Sequence, residues 1–171
     1  MTRSERNALI TGAGQGMGLG VAKRLAAGGI GVFINDIDPD KAEAAATAIR
    51  EAGGRASAAP FDVTDADDAL GAIRSLEASS GPVDILVNNA GIQHVAGIDQ
   101  FPVEKWDAII AINMSSAFHT TAAALPMMRG AGWGRVINVA SAHGLRASPF
   151  KSAYVTAKHG VVGMTKVVAL E

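Results

Sequence analysis

Five short apolar runs, at 8–10, 31–34, 56–61, 83–87 and 135–139, alternate with longer stretches of helical spacing at 16–27, 39–52, 66–79, 103–128 and 152–170. Because the runs are apolar at consecutive positions, a strand formed by any of them presents apolar side chains on both faces and needs cover on both sides. Helical crossovers between parallel strands supply that cover. The expectation is therefore α/β, a doubly wound parallel sheet in three layers, forming one domain over 1–171. Turn chemistry agrees. Asp38-Pro39 is placed to cap and start the second helix, Gly53-Gly54 to close it, and Gly81-Pro82 to end the third. Pro126 is expected to kink or loosen the long fourth helix, and 130–134 to form a flexible connection.

Composition narrows the function. Of 171 residues, 49% are apolar and 18% charged, enough to build a core and too apolar for a disordered chain. A net charge of -1 exerts no general pull on phosphate backbones or anionic lipid, so neither nucleic acid nor membrane is expected as a partner. The absence of cysteine removes disulfides, thiolate nucleophiles and cysteine metal sites, and is compatible with a reducing compartment. The polar start does not read as a secretory leader, and no uninterrupted apolar stretch reaches the roughly 18 residues that a membrane span requires. The expected location is the cytoplasm. Neither H-E-x-x-H nor G-x-S-x-G occurs, and no metal site is expected.

Chemistry first appears after the first strand, in Thr11-Gly12-Ala13-Gly14-Gln15-Gly16-Met17-Gly18. A strand-to-helix turn with glycines at Gly12, Gly16 and Gly18 lets backbone N–H groups and a helix N-terminus approach a pyrophosphate. Taken alone it also fits a merely flexible turn. Twenty residues beyond Gly16, Asp36 ends the second strand, where a carboxylate can accept hydrogen bonds from both hydroxyls of an adenosine ribose. A 2′-phosphate would meet Asp36 with Asp38 and Asp40 close by and no Arg immediately following, which favours NAD over NADP. Asp38 and Asp40 fit a solvated cap region equally well.

In the last helix Tyr154 and Lys158 stand four residues apart, on one face. A cation beside a phenol favours the phenolate, as an acid/base tyrosine requires. Ser141 closes the fifth strand, at the edge of a parallel sheet where ligands bind, and can hold a carbonyl or alcohol oxygen beside the phenol. In isolation the Tyr–Lys pair reads as a surface pair and the serine as a turn cap. His143, two residues from Ser141, and Lys151, three from Tyr154, can flank the reacting carbon; Lys can attract a carboxylate and Gln or His can donate hydrogen bonds to it. Each also reads separately as a structural histidine or a solvated lysine. His94, His119 and His159 have no clear chemical role.

These residues occur in the order found in the short-chain dehydrogenase/reductases, which the chain resembles over essentially its whole length: the glycine turn, Asn88-Asn89-Ala90-Gly91, Asn113, Ser141, and Tyr154 with Lys158. Met17 stands where the family commonly has Ile. The resemblance implies a Rossmann-like, NAD-binding oxidoreductase. On it, Gly12, Gly16, Met17, Gly18 and Asp36 hold the cofactor, Asn89, Ala90 and Gly91 line it, and Asp62 and Val63 meet the adenine. It further implies that Tyr154 is the general acid/base, that Lys158 tunes it and reaches the cofactor ribose, and that Asn113 holds a water in the proton path.

The second half is similar to the family's D-3-hydroxybutyrate dehydrogenase branch, on 91–95, 101–107, 141–144 and 148–154. That likeness implies interconversion of D-3-hydroxybutyrate and acetoacetate, with Gln93, His143 and Lys151 around the substrate carboxylate and Ser141 and Tyr154 at the reacting oxygen. It also implies a homo-oligomer, built through the helices at 103–128 and 152–170. Family members continue past the helix of Tyr154, so the last strands of the fold are expected to be missing here and the fifth strand to be a sheet edge. Two alternatives stay open: a dehydrogenase or reductase of another small alcohol or ketone, and a truncated, noncatalytic dinucleotide-binding or interaction module.

Overall fold

A computed structural model of the chain describes residues 5–171; the first four residues, part of the polar start, lie outside the described residues. Strands β1 (Asn7–Ile10), β2 (Gly31–Ile34), β3 (Ala56–Ala58), β4 (Ile85–Asn88) and β5 (Arg135–Asn138) form one parallel sheet in the order β3-β2-β1-β4-β5. Its central register pairs Leu9 with Phe33 on one side and with Leu86 on the other. Helices α1 (Gly16–Ala27), α2 (Pro39–Glu51), α3 (Ala66–Ser80), α4 (Val103–Ile110), α5 (Ser116–Gly130) and α6 (Ser152–Leu170) connect the strands.

Alternation along each strand divides the core in two. Ala8, Ile10, Val32, Ile34, Ile85 and Val87 face Ala22 and Ala26 of α1 and Ala42, Ala46 and Ile49 of α2. Leu9, Phe33 and Leu86 face the other way, onto Ala69 and Ile73 of α3 and Ala124 and Met128 of α5. Alanine dominates the first layer, so α1 and α2 sit close to the sheet. This is the expected three-layer, doubly wound sheet. A third cluster, Ile109, Ala153 and Ala157 with Trp106, Met114 and Tyr154 packed against it, joins α4 to α6.

Local chemistry sets the ends. Asp38 accepts the amides of Asp40 and Lys41 with Pro39 at the first helical position, and Asp65 caps α3 through Asp67 and Asp68 in the same way. Gly81, at φ 89°, stops α3 in a backbone conformation that other residues avoid. Strand β3 ends at Ala58, three residues earlier than its apolar run, and a last bond from the Ala59 amide to the Ile34 carbonyl at 2.9 Å closes its pairing with β2. The Asn35 side chain takes over, donating to the Ala59 and Phe61 carbonyls at 3.2 and 2.9 Å.

The long helix differs from expectation in one respect. Helices α4 and α5 are joined by a π-helical turn, Ala111–Ser115, and α5 continues through Pro126 to Gly130. By length and composition alone the 28-residue helical run Val103–Gly130 could cross a membrane, although Glu104, Lys105, Asp107 and Arg129 interrupt its apolar residues. In the structure it lies against α3, β4 and α6 and buries Ile109, Thr120, Ala124 and Met128.

Strand β5 is a sheet edge, with Ile137 49% exposed. Beside it a groove of about 600 Å³ opens between α5 and α6, lined by Leu125, Met128, Trp133, Val136 and Val168 among others. The layering predicts a graded response to truncation. Leu9→Ala, in the fully buried centre of the sheet, should lower stability by about 2–5 kcal/mol. Ile137→Ala on the edge should cost less than about 1 kcal/mol. Urea unfolding of the two variants measures both.

Candidate functional site

Strands β1 and β4 are neighbours, yet the chain leaves β1 toward β2 and leaves β4 toward β5, in opposite directions along the sheet. Their C-terminal ends therefore bound a crevice. Thr11, just past β1, bridges it: its hydroxyl oxygen accepts the Asn89 and Ala90 amides at 3.0 and 3.1 Å. The Asn89 side chain returns the contact, donating to the Thr11 and Gly12 carbonyls at 2.9 and 3.1 Å. A cleft of about 480 Å³ lies above this crossing, with Gly12, Met17, Asp36, Asp62, Val63, Asn89, Ala90 and Gly91 in its walls, all expected at a cofactor.

Glycine is required where backbones meet. A Cβ on Gly12, whose φ is 60°, would stand 2.9 Å from the Ala90 Cα, and one on Gly18 would stand 2.6 Å from the Gly12 carbonyl oxygen. Gly16 has a positive φ and open space around it, so there the constraint is conformation rather than room. Gly16 and Gly18 are absent from the cleft walls; Gly18 lies buried under the turn. Helix α1 begins here with no side-chain cap and no acidic residue in its first turn. An uncapped positive helix end above a glycine-rich turn fits a pyrophosphate.

Asp36 is held at the cleft wall by two backbone donors, Gly14 N at 3.2 Å and Asp38 N at 3.2 Å. A side chain on Gly14 would collide with it, since a Cβ there would lie 2.6 Å from Asp36 Oδ2. Nearby, the hydrogen bond from Lys41 holds the Asp38 carboxyl below the usual carboxylate range, with the Lys41 and Asp40 amides adding to the effect. Asp62 accepts the amide and hydroxyl of Thr64 at 2.8 and 2.7 Å, so its carboxylate is engaged locally.

Past the C-terminal end of β5, α6 carries Tyr154 and Lys158. Lys158 is 5% exposed, donates to the Val139 carbonyl at 2.6 Å and lies 5.6 Å from the centre of the Tyr154 ring, within cation–π range. Burial pushes its pKa below the ordinary lysine value. The ring of His143 packs edge-on against Tyr154 at 6.0 Å, and its Nδ1 is 3.2 Å from Ser141 Oγ. Ser141, His143, Tyr154 and Lys158 thus form one connected group. Ser141 also accepts the His143 amide at 3.1 Å, so it caps a short turn as well as facing the group.

Asn113 is buried in the π-helical turn, and its amide clasps the backbone of Ile92: Oδ1 accepts Ile92 N at 2.9 Å and Nδ2 donates to Ile92 O at 3.0 Å. The side chain expected in a proton path is thus the one that fixes the loop leading to Gln93. Gln93 is exposed, whereas Lys151 is half-buried at the start of α6.

Three contributors were not anticipated from sequence. Asn35 is buried and holds the Gly12 amide at 3.4 Å as well as the Ala59 and Phe61 carbonyls. Thr11 and Gly14 act as described above. The available signal was position: Thr11 and Gly14 lie inside the glycine turn, and Asn35 is a polar residue closing an apolar strand beside Asp36.

The family model for short chain dehydrogenase matches residues 6–171. D-beta-hydroxybutyrate dehydrogenase of Cupriavidus necator is 54% identical over 169 residues, covering 97% of this chain and 64% of that protein. The enzyme of the same name from Rhizobium meliloti is 48% identical over 171 residues, covering 97% and 65%. A crystal structure of a gluconate 5-dehydrogenase from Burkholderia cenocepacia J2315, in complex with NADP and tartrate, superposes with a TM-score of 0.94 at 38% identity, covering 96% of this chain and 65% of that one. The chain thus spans 64–65% of the length of these relatives. The order of motifs, the parallel sheet and the matched family model lead to one conclusion: the chain belongs to the short chain dehydrogenase family.

Proposed function

We propose that this chain carries the dinucleotide site and the reactive group of an NAD-dependent oxidoreductase that interconverts D-3-hydroxybutyrate and acetoacetate. The observation that carries this reading is the connected group of Ser141, His143, Tyr154 and Lys158 past the C-terminal end of β5. The names of the relatives from Cupriavidus necator and Rhizobium meliloti support the substrate.

The dinucleotide, when bound, supplies the hydride acceptor. Gly12, Met17 and the open start of α1 would hold its pyrophosphate, Asp36 its adenosine ribose, Asp62 and Val63 its adenine, and Asn89 to Gly91 the remaining wall. Gly16 and Gly18 shape the turn. We favour NAD because Asp36, with Asp38 kept ionised close by in sequence, opposes a 2′-phosphate; the NADP bound by the gluconate 5-dehydrogenase makes this the point to test.

In the oxidative direction Tyr154 accepts the hydroxyl proton while Ser141 donates a hydrogen bond to the oxygen as charge develops on it. Lys158, buried and hydrogen-bonded to the Val139 carbonyl, brings its amino group close to the phenol ring. Gln93, His143 and Lys151 receive the substrate carboxylate, with Lys151 supplying the charge. Asn113 holds the loop of Gln93; its part in a proton path rests on family resemblance. A cytoplasmic location and assembly through the long helix and α6 belong to the same reading, supported by the absence of cysteine and by the exposed Val103, Phe118, Val167 and Leu170.

Titration of the purified chain with NAD and NADP, followed by NADH formation on D-3-hydroxybutyrate, tests the proposal. Tighter binding of NAD and turnover are expected; binding without turnover would leave a noncatalytic module, and turnover of other small alcohols in a substrate panel would shift the specificity. Tyr154→Phe should lower turnover by roughly 10²–10⁴-fold while NAD affinity stays within about twofold.

Lys158 gives a pH test with a definite sign. Its folded-state pKa is depressed, so between that value and the ordinary lysine value of 10.5 the unfolded chain binds the proton more strongly. This contribution to stability therefore rises with pH across that window. Lys158→Met should flatten the rise, measured by urea unfolding between neutral pH and about pH 10.5.

A further inference from the structure

Phe150 is the one non-glycine residue among those described with a positive φ, 64°. Left-handed backbone crowds the Cβ of any such residue. Burial of the ring does not offset the strain, because Phe150 is 61% exposed. What the conformation makes possible is a backbone contact between two loops: the Phe150 carbonyl accepts the Ala96 amide at 3.0 Å.

Each loop carries a residue assigned above to the substrate carboxylate. Lys151 directly follows Phe150 and begins α6, three residues before Tyr154; Gln93 lies three residues before Ala96, next to the Ile92 backbone that Asn113 clasps. The loop of Gln93 is thus held at one end by Asn113 and at the other by Phe150. We propose that Phe150 is a positioning residue whose left-handed backbone, rather than its ring, sets Gln93 against Lys151 and thereby the affinity for a short carboxylate substrate. The proposal rests on the function proposed above, which gives Gln93 and Lys151 their roles.

Two substitutions separate backbone from ring, since both remove the aromatic group. Asparagine visits the left-handed region readily, whereas a β-branched residue is a severe outlier there. The full chain and its Phe150→Asn and Phe150→Val variants are compared in two ways: steady-state NADH formation with D-3-hydroxybutyrate varied at saturating NAD, and hydrogen exchange at the Ala96 amide, which needs no substrate.

Phe150→Val is expected to speed Ala96 exchange and to raise KM about tenfold, with kcat and NAD affinity changed less than about twofold. Phe150→Asn is expected to restore both the exchange rate and KM to within about twofold of the parent chain. A KM raised equally in both variants would assign the effect to the ring and overturn the proposal. Unchanged Ala96 exchange in Phe150→Val would overturn it as well. If the parent chain forms no NADH while Ala96 exchange follows the expected pattern, the loop positioning is supported and the substrate assignment falls.

Discussion

The crossing of backbones at the C-terminal ends of β1 and β4 governs the rest of this molecule. The two strands are adjacent, but the connections leaving them diverge, so a crevice opens that only local bonds can brace. Thr11 and Asn89 supply those bonds in both directions. Their closeness excludes side chains at Gly12 and Gly18, and the same exclusion leaves the turn open to a large anionic ligand. Beyond Asn89 the chain passes Ile92, where Asn113 takes over the bracing.

The reactive group depends on α6 in a complementary way. Ala153 and Ala157 bury one face of that helix against Ile109 of α4, which leaves Tyr154 half-buried and Lys158 inside. A buried ammonium needs a partner, and the Val139 carbonyl just past β5 supplies one. The helix of Tyr154 is thereby tied, through the Lys158 side chain, to the segment that leads from β5 into Ser141.

Much of this was legible in the residues themselves. The apolar runs of β1, β2 and β4 specified a sheet covered on both faces, and the four-residue spacing of Tyr154 and Lys158 placed them on one helix face. What escaped was tertiary in origin. The position of Asn35 at the end of an apolar strand hints at a role but not at which three backbone groups it supports, because Gly12, Ala59 and Phe61 come together only when the sheet forms. The left-handed backbone of Phe150 goes with a bond to Ala96, over fifty residues away in the chain. The π-helical turn has no residue signature at all; helical spacing on either side reads as one continuous helix.

That turn has a rotational consequence. An α-helix advances about 100° per residue, and a π turn accommodates roughly one residue more per winding. Residues after Ala111–Ser115 are therefore phased differently from an unbroken helix that begins at Val103. Winding the same residues as unbroken α-helix would swing Thr120, Ala124 and Met128 by about 100° around the axis and off the sheet, while Trp106 and Ile109 kept their places. The polar Asn113 thus sits at a gearing point between two apolar stripes, one seated on α6 and the other on the sheet.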